Sequence, residues 1–452
     1  MDVIELLKSP EGKTLEFKRD LSSAEGLLRT VVAFANTAGG TLLIGVEDGT
    51  RHVRGVPDPL ALEERLANLL SDCIVPRIMP EIEILPWRRR NVLAVQVYPS
   101  PGRPHYLKSG GAQAGVYVRV GSTNRRADGD LIAELRRGAL GQSFDEQPMP
   151  ELNSEALDFR VASELFAPAR KLRRGDLDTL RLLTRHQGRK VPTVGGMLLF
   201  GRNREQHFPD AWIQAGRFAG ADKTRIADSA AIRSPLPHAV EEAIAFVQKH
   251  DLRRMEIGAV RRKENWSLPP VAVREALINA VVHADYAQRG GPIRLSFFDE
   301  RLEVENPGLL PFGLTVEDLR RGVSKLRNRV IGRVFHELRL IEQWGSGIQR
   351  MTAACRDAGL PVPMLEELGT RFRVTLRTIR VQAPTLDATD QAIVEALAAG
   401  RGLSTNDIAT RIRRTPRAAR TRLLGLIERG LVREVGTSPQ DPKRRYFLAN
   451  RR

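Results

Sequence analysis

Three polar residues lie four positions apart in the stretch REALINAVVHADY, which begins at Arg274. Glu275, Asn279 and His283 therefore share one side of a helix, because residues at i and i+4 are neighbours on a helical surface. Apolar residues at helical spacing fill the rest of the stretch. A carboxylate and an amide held in an apolar frame predict a ligand or metal site on this side. The pattern leaves open a second interpretation, a capped and solvated helix surface.

A second set of candidates consists of basic residues near the C-terminus. Three predicted helices with tight turns come first; the second opens with Ser404 as N-cap, and the third with Thr415 as N-cap and Pro416 at its first position. A hairpin follows, so the order predicts a winged helix-turn-helix. In that motif the start of the third helix meets base edges and the wing tip meets phosphates. The candidate nucleic-acid contacts are Arg417, Arg420, Thr421, Arg422, Lys443, Arg444 and Arg445. A winged helix used only for protein contacts is the alternative.

Length and composition narrow the class of protein. The chain has 452 residues, a formal net charge of +17 and a sequence pI near 10.5. The length predicts two to four domains. The charge favours an anionic partner, and nucleic acid is favoured over membrane because no amphipathic basic helix dominates. Cys73 and Cys355 are far apart and indicate neither a disulfide framework nor a zinc site. No signal peptide or membrane-spanning run is recognisable, so we expect a soluble cytoplasmic protein.

The order of predicted elements divides the chain into three regions. Residues 1–140 contain the predicted strand LEFK, a helix stopped by Gly39 and Gly40, and the buried strand TLLIG. Residues 150–380 again mix strands with helices and contain the polar stripe. Residues 386–452 form the predicted winged helix. The predicted fold class is therefore α+β and multidomain.

The central region resembles a family of ATP-binding domains. REALINAVVHADY, ENPG, S-x-x-RN and GSGI occur in the same order in a divergent GHKL-type branch, the domain that resembles the RecG helicase C-terminus. The E-x-x-x-N helix matches the N-box of the gyrase, Hsp90, histidine kinase and MutL superfamily. The resemblance implies an α/β sandwich that binds ATP and Mg²⁺. It assigns Asn279 as a metal ligand, since an oxygen ligand suits Mg²⁺, and Glu275 as the residue that activates water in members that hydrolyse ATP.

The same resemblance implies further contacts to the cofactor. The GSGI turn would hold phosphates through backbone amides at a helix N-terminus, the ENPG turn would read adenine, and the segment between them would be a lid. The implied contacts are His283, Asn306, Gly308, Lys325, Arg327, Gly345, Ser346 and Gly347. The family's usual aspartate in the adenine turn is replaced by Glu305 or Asn306 in its vicinity, which leaves ATP turnover open. No Walker A pattern is present, so a helicase motor is not expected.

The first region resembles the Schlafen AlbA-type domain. The matching stretches are EGKTLEFK, FANTAGGTLLIGVEDG and VYVRVGSTN. In nuclease members of that family two glutamates and a later aspartate bind a divalent metal and cut RNA. By position Glu11, Glu16 and Asp48 correspond, and a metal held by three carboxylates would suit phosphodiester cleavage. The alternative is that Glu16 and Lys18 form a surface pair while Asp48 caps a turn.

Two functions from different classes follow. The first is an ATP-binding and DNA-binding transcriptional regulator, which could act as a homodimer on paired half-sites. The second is a Schlafen-like, metal-dependent endoribonuclease that acts on tRNA or phage RNA in defence. A structural partner of a larger complex is a third interpretation. Whether the protein is an enzyme is left open by the sequence.

Overall fold

The first region builds a four-stranded sheet that is covered on both faces. Its order is β1-β2-β5-β4, with β1 and β2 parallel and the other neighbours antiparallel. Strand β2 is buried along its whole length, as expected for an unbroken apolar run.

The computed structural model describes residues 3–251, 266–341, 345–378, 387–398, 402–428, 431–435 and 444–449. The helices of this region are α1 (Val3–Lys8), α2 (Ala24–Asn36), α3 (Pro59–Cys73), α4 (Gly111–Ala114) and α5 (Gly129–Ala139), and the strands are β1 (Leu15–Lys18), β2 (Gly40–Ile44), β3 (Ile74–Val75), β4 (Glu81–Trp87), β5 (Arg90–Val97), β6 (Tyr106–Leu107), β7 (Tyr117–Val120) and β8 (Thr123–Arg126).

The central region is organised around a mixed sheet of six strands. Its order is β12-β11-β13-β14-β16-β15, in which β11 and β13 are parallel and the other neighbours antiparallel. The helices are α6 (Phe159–Phe166), α7 (Asp176–Thr179), α8 (Val194–Phe200), α9 (Arg204–His207), α10 (Leu236–His250), α11 (Pro270–His283), α12 (Val316–Arg320), α13 (Arg329–Glu337) and α14 (Gly347–Asp357). The strands are β9 (Leu183–His186), β10 (Arg189–Pro192), β11 (Ile213–Phe218), β12 (Ile226–Ile232), β13 (Ile293–Phe297), β14 (Arg301–Pro307), β15 (Met364–Leu368) and β16 (Arg371–Arg377).

Helix α11 lies at the centre of the largest apolar core. It packs against β14, β16, α10 and α14, and nine of its residues are buried. The predicted apolar side is confirmed, since Leu277, Ala280 and Val281 are all within the core. Neighbours on several sides explain why α11 carries few charged residues, because a helix enclosed by other elements has little surface to solvate.

The first and central regions share an apolar cluster. Leu309 and Phe312, in the loop after β14, pack in one cluster with Val118, Leu131 and Leu135 of the first region. The amide of Gly313 also donates to the Thr37 carbonyl at 2.9 Å. The loop after β14 is therefore anchored in the first region.

Ion pairs strengthen the same contact. Arg327 pairs with Glu134 of α5, and its guanidinium also donates to the Leu309 carbonyl. Lys13 pairs with Glu367 of β15 at 2.7 Å. Both arginine and glutamate side chains are largely buried, so the pair between Arg327 and Glu134 is screened little by solvent.

The described residues of the last region form three helices and two paired strands, in the order that the sequence predicts. They are α15 (Ala388–Ala398), α16 (Thr405–Arg411), α17 (Pro416–Glu428), β17 (Val432–Val435) and β18 (Arg445–Leu448). Ser404, the predicted N-cap of α16, forms a capping box with Asp407, and the Thr415 hydroxyl accepts a hydrogen bond from the Ala418 amide at 3.3 Å. An apolar cluster around Ile408, Leu423 and Tyr446 joins these elements. Among the described residues, no helix has both the length and the apolarity that crossing a membrane requires.

One buried carboxylate caps α13 from the segment that joins the first two regions. Asp145 is fully buried and accepts hydrogen bonds from the amides of Arg329, Val330 and Ile331 at 3.0, 2.7 and 2.9 Å. These amides have no partner within their own helix. Asp145 therefore fixes the start of α13 relative to the preceding segment.

We predict that Asp145→Ala lowers the free energy of unfolding by about 2–3 kcal/mol, because it leaves buried amides without an acceptor. Urea unfolding followed by circular dichroism at pH 8 measures the loss; burial raises the pKa of Asp145 to about 6, so the wild-type side chain is charged at this pH. Asp145→Asn is the control, since its amide oxygen still accepts, and it should lose less. Equal stability of Asp145→Ala and wild type would contradict the capping role.

Candidate functional site

The three polar residues of the stripe line one cavity, as their spacing predicts. Glu275 is buried, and Asn279 and His283 are half-buried. The cavity has a volume of about 870 Å³, which is within the usual range for small-molecule sites. Of the residues implied by the family resemblance, those that line it are Glu275, Asn279, His283, Asn306, Lys325, Gly345 and Gly347.

The glycine turn and the stripe are in direct contact. A Cβ on Gly347 would lie 2.6 Å from Oε2 of Glu275 and 3.5 Å from Nδ2 of Asn279. A side chain at position 347 would therefore require the carboxylate of Glu275 to move. Gly345 has a positive φ of 67° and lies against Ser324. Ser346 is the N-cap residue of α14 and is not among the residues that line the cavity.

Glu275 is held by an arginine. Its Oε1 accepts from Nη2 of Arg350 at 2.7 Å, and Arg274 lies 3.9 Å from the same oxygen. The N-terminus of α14 adds a favourable dipole. The Arg350 guanidinium therefore already occupies one oxygen of the carboxylate that the family resemblance assigns to water activation.

Two buried polar atoms in the cavity are without partners. Within the residues that the structure describes, Nδ2 of Asn279 and Nδ1 of His283 make no hydrogen bond. Buried polar atoms are almost always paired, and unpaired ones commonly mark a place for a ligand or water. Asn279 and the close approach at Gly347 therefore fit a polar ligand on this side of α11.

His283 is uncharged near neutral pH. Burial and the positive charge of Arg327 lower the pKa of His283 to about 4. Its imidazole therefore offers one donor and one acceptor to a ligand at pH 7 and contributes no charge. This supports a hydrogen-bonding role over an ion pair with phosphate.

The structure distinguishes the two residues near the adenine turn. Asn306 is buried and lines the cavity, with Nδ2 donating to the Pro307 carbonyl at 3.0 Å. Glu305 lies on the other side of β14, where it pairs with Arg373 at 2.9 Å. Because side chains alternate along a strand, Asn306 alone of the two can face the ligand.

Arg327 and Gly308 have different positions from those expected. Neither lines the cavity. Arg327 is engaged with Glu134 and the Leu309 carbonyl, so its guanidinium is not offered to phosphates. Gly308 has a φ of 99°, and a Cβ there would lie 2.9 Å from Cβ of Asp285. Both residues position the loop after β14 instead of contacting the cavity.

Three arginines of the cavity wall were missed by sequence reasoning. Arg329, Arg333 and Arg350 all line it. Arg329 and Arg333 are four residues apart on α13, and Arg350 is three residues after Gly347 on α14. Residues three or four positions apart share one side of a helix, and this spacing was the signal in the sequence that could have identified these arginines.

The three carboxylates of the first region lie close enough to interact. Burial raises the pKa of Glu11, and the charges of Glu16 and Asp48 raise it further. Glu16 is buried and pairs through one oxygen with Lys18 and through the other with Arg119, at 2.5 Å. In the described part of the chain, no group of three or more His, Cys, Asp or Glu side chains is arranged to hold a metal ion.

The basic residues of the last region divide into exposed and engaged groups. Arg417, Arg420 and Thr421 are exposed on α17. Arg422 pairs with Asp387 and Asp390. Arg444 was expected to meet phosphates, but it is buried and paired with Glu434 at 2.8 Å.

Two further basic residues belong to the predicted wing. Arg445 is exposed and donates to the Gly402 carbonyl at 2.7 Å. Lys443 lies outside the described residues. Exposed Arg413 and Arg414, in the turn before α17, were not singled out from the sequence and add to the positive charge at this end of the helix.

Two family models match separate parts of the chain. Residues 11–128 match the family described as "Schlafen, AlbA_2". Residues 290–376 match the family described as "Putative ATP-dependent DNA helicase recG C-terminal". The chain therefore contains an AlbA-type domain and a GHKL-like domain, which confirms both resemblances. The second match begins after α11, so Glu275 and Asn279 precede the matched segment.

Two solved structures are similar to the chain. The DIP2311 protein from Corynebacterium diphtheriae is 19% identical, with 99% of this chain and 96% of that chain covered and a TM-score of 0.45. The N-terminal domain of a RecG-related protein from Nitrosomonas europaea is 28% identical, with 27% of this chain and 91% of that chain covered and a TM-score of 0.22. The comparison with curated proteins gives no match.

We predict that Gly347→Ala weakens ATP binding about tenfold or more, because the new methyl group would displace Glu275 and Asn279. Isothermal titration calorimetry measures the affinity. Gly175→Ala is a matched control, since a Cβ at that position meets no atom within 4 Å. Equal affinities of Gly347→Ala and wild type would show that the glycine turn is not part of the site.

We predict that His283 makes the protein less stable as the pH falls from about 6.5 to about 4. The unfolded chain protonates this histidine in that window whereas the folded chain does not, so the unfolded state holds more protons and stability rises with pH. The decrease in Tm between pH 7.5 and pH 5 should be larger for wild type than for His283→Gln. Parallel decreases for the two proteins would show that the histidine is not buried in its neutral form.

Proposed function

We propose that the protein is a nucleotide-gated regulator of transcription: the central domain binds ATP with Mg²⁺, the last region binds duplex DNA, and nucleotide occupancy changes how the DNA-binding surfaces are presented. The composition and the two family matches support association with nucleic acid. The observation that carries the gating is the loop 308–314, which contributes to both the cavity and the first domain.

The cavity supports the nucleotide part of the proposal. The buried Nδ2 of Asn279 has no partner within the described part of the chain, and the N-terminus of α14 meets α11 beside it. A Mg²⁺ ion would be held by the amide oxygen of Asn279 and would neutralise charge between phosphates and Glu275; a donor set this small suits Mg²⁺, which keeps phosphate and water ligands. Since Arg350 engages Glu275, we propose binding with slow turnover or none.

Asn306, which lines the cavity, supports a purine ligand. Its Nδ2 is engaged by the Pro307 carbonyl at 3.0 Å, so Oδ1 is the atom left for a ligand. An amide oxygen accepts a hydrogen bond from an exocyclic amine as a carboxylate does, without adding charge. Asn306 would therefore replace the family's aspartate as the acceptor for adenine.

The loop 308–314 connects the cavity to the first domain. Leu309, Leu310, Pro311 and Leu314 line the cavity, and Leu309 and Phe312 also pack in the cluster shared with the first domain. Neighbouring residues of one short loop thus contact the ligand on one side and the AlbA-type domain on the other. A ligand that moves this loop changes the contact between the domains, which is the differential interaction that gating requires.

The last region supports the DNA-binding part. Three helices and a strand pair have the order of a winged helix, and α17 presents Arg417, Arg420 and Thr421 at its exposed start. A recognition helix meets base edges with its N-terminal residues. Duplex DNA is the partner that this arrangement favours, and a protein-binding winged helix is the alternative.

We predict that the purified protein shifts duplex DNA in a gel without cutting it, and that ATP with Mg²⁺ changes the shift. Asn279→Ala should keep the shift and lose its response to ATP, because the amide that contacts the ligand is removed. Arg417→Ala with Arg420→Ala should weaken binding and reduce its salt dependence. A shift that is the same with and without ATP in wild type would overturn the gating.

A metal-dependent nuclease is the second candidate, because Glu11, Glu16 and Asp48 influence one another electrostatically. The same gel with tRNA and Mn²⁺ tests it. Asp48→Asn is a better control than Glu16→Ala, since Asp48 is exposed whereas loss of Glu16 would leave the buried Arg119 without its carboxylate. Cleavage that needs metal and is lost in Asp48→Asn would favour the nuclease.

A further inference from the structure

The acidic side chains that line the cavity have ion-pair partners, whereas some of the basic ones do not among the described residues. These charged residues comprise the carboxylates Glu275 and Glu337 and the cations Lys325, Arg329, Arg333 and Arg350. Both carboxylates have arginine partners: Glu275 pairs with Arg350 at 2.7 Å, and Glu337 pairs with Arg170 at 3.0 Å. Among the described residues, both carboxylates of the wall are therefore already neutralised by an arginine.

Two of the cations, Lys325 and Arg333, have no acidic partner among the described residues. Arg329 is engaged, since it donates to the Gly141 carbonyl at 2.8 Å and lies 3.5 Å from Glu146. Lys325 donates only to a neutral group, the Phe312 carbonyl, at 3.2 Å. The guanidinium of the half-buried Arg333 makes no hydrogen bond and no ion pair within the described residues.

Arg333 lies on a helix that is fastened beside α11. At one end Nδ2 of Asn328 donates to the carbonyls of Val282 and Ala284 at 2.9 and 2.7 Å. At the other end Arg274 donates to the Leu340 carbonyl at 3.0 Å. The two helices thus run in opposite directions, and Arg333 in the middle of α13 and Asn279 in the middle of α11 both line the cavity.

We propose that Arg333 binds the phosphate chain of the ligand and so restricts the cavity to nucleoside polyphosphates. This inference rests on the proposed nucleotide-binding function and deepens it. An arginine presents several N–H donors in a planar fork that matches phosphate oxygens. A half-buried guanidinium without a counterion costs solvation energy, which an anionic ligand offsets. Lys325 supplies a second uncompensated charge on the same wall.

Affinities for ATP, adenosine and inorganic tripolyphosphate, measured by calorimetry on the full chain, test this assignment. Arg333→Ala should weaken ATP and tripolyphosphate binding on the order of ten- to a hundredfold, as expected for loss of a charge-assisted hydrogen bond, and leave adenosine affinity unchanged. Arg333→Lys should lose less. Arg185→Ala is the matched control, because it removes the same charge from an exposed position on β9 outside the cavity wall.

The outcomes separate this inference from the proposed function. If wild type and Arg333→Ala bind ATP equally, or if adenosine affinity falls as much as ATP affinity, the role of Arg333 is overturned while nucleotide binding stands. If wild type binds tripolyphosphate but neither ATP nor adenosine, and Arg333→Ala loses it, the anion site stands and the nucleotide assignment fails. Wild type that binds none of the three overturns both.

Discussion

The buried charge of Arg327 is the interaction on which the arrangement of the first two domains depends. A guanidinium removed from water requires partners, and removal of one partner of such a pair costs about 3–5 kcal/mol. Here the partners come from separate elements: Glu134 from α5 and the Leu309 carbonyl from the loop after β14, with Asp285 at 4.0 Å beyond the end of α11. The guanidinium of Arg327 therefore links the AlbA-type domain, the loop after β14 and the segment that follows helix α11.

The contacts of Arg327 also explain why the loop after β14 is suited to transmit a conformational change from the cavity to the first domain. Gly308 must be a glycine, since its φ is 99° and a Cβ would meet Asp285. Gly308 is held beside Arg327. The residues that follow it, 309–314, therefore contribute side chains both to the cavity and to the shared apolar cluster. Neither side can move alone, because Leu309 contributes its carbonyl to Arg327 and its side chain to the cluster. Such a segment has few intermediate positions, which favours a response between two states.

The sequence predicted local features well and long-range charge pairing poorly. The period of four residues placed Glu275, Asn279 and His283 on one side of α11, and capping rules placed the start of α16 at Ser404. The partner of Arg327, by contrast, is 193 positions away, and nothing local to Arg327 indicates it. Arg444 and Glu16 were assigned to ligands for a related reason, since Glu434 and Arg119 become their partners only after folding, although the pair of Glu16 with Lys18 was recognised in the sequence as the alternative.

Charge pairing also distinguishes the two candidate sites of the protein. In the first domain both oxygens of Glu16 are taken by Lys18 and Arg119, so a metal would have to displace an internal partner. In the central cavity the carboxylates are paired, whereas Arg333 and the Nδ2 atom of Asn279 have no partner among the residues that the structure describes. A folded protein gains most from a ligand where its own groups are left unsatisfied. The cavity is such a place, and this asymmetry favours a nucleotide-responsive regulator over a nuclease.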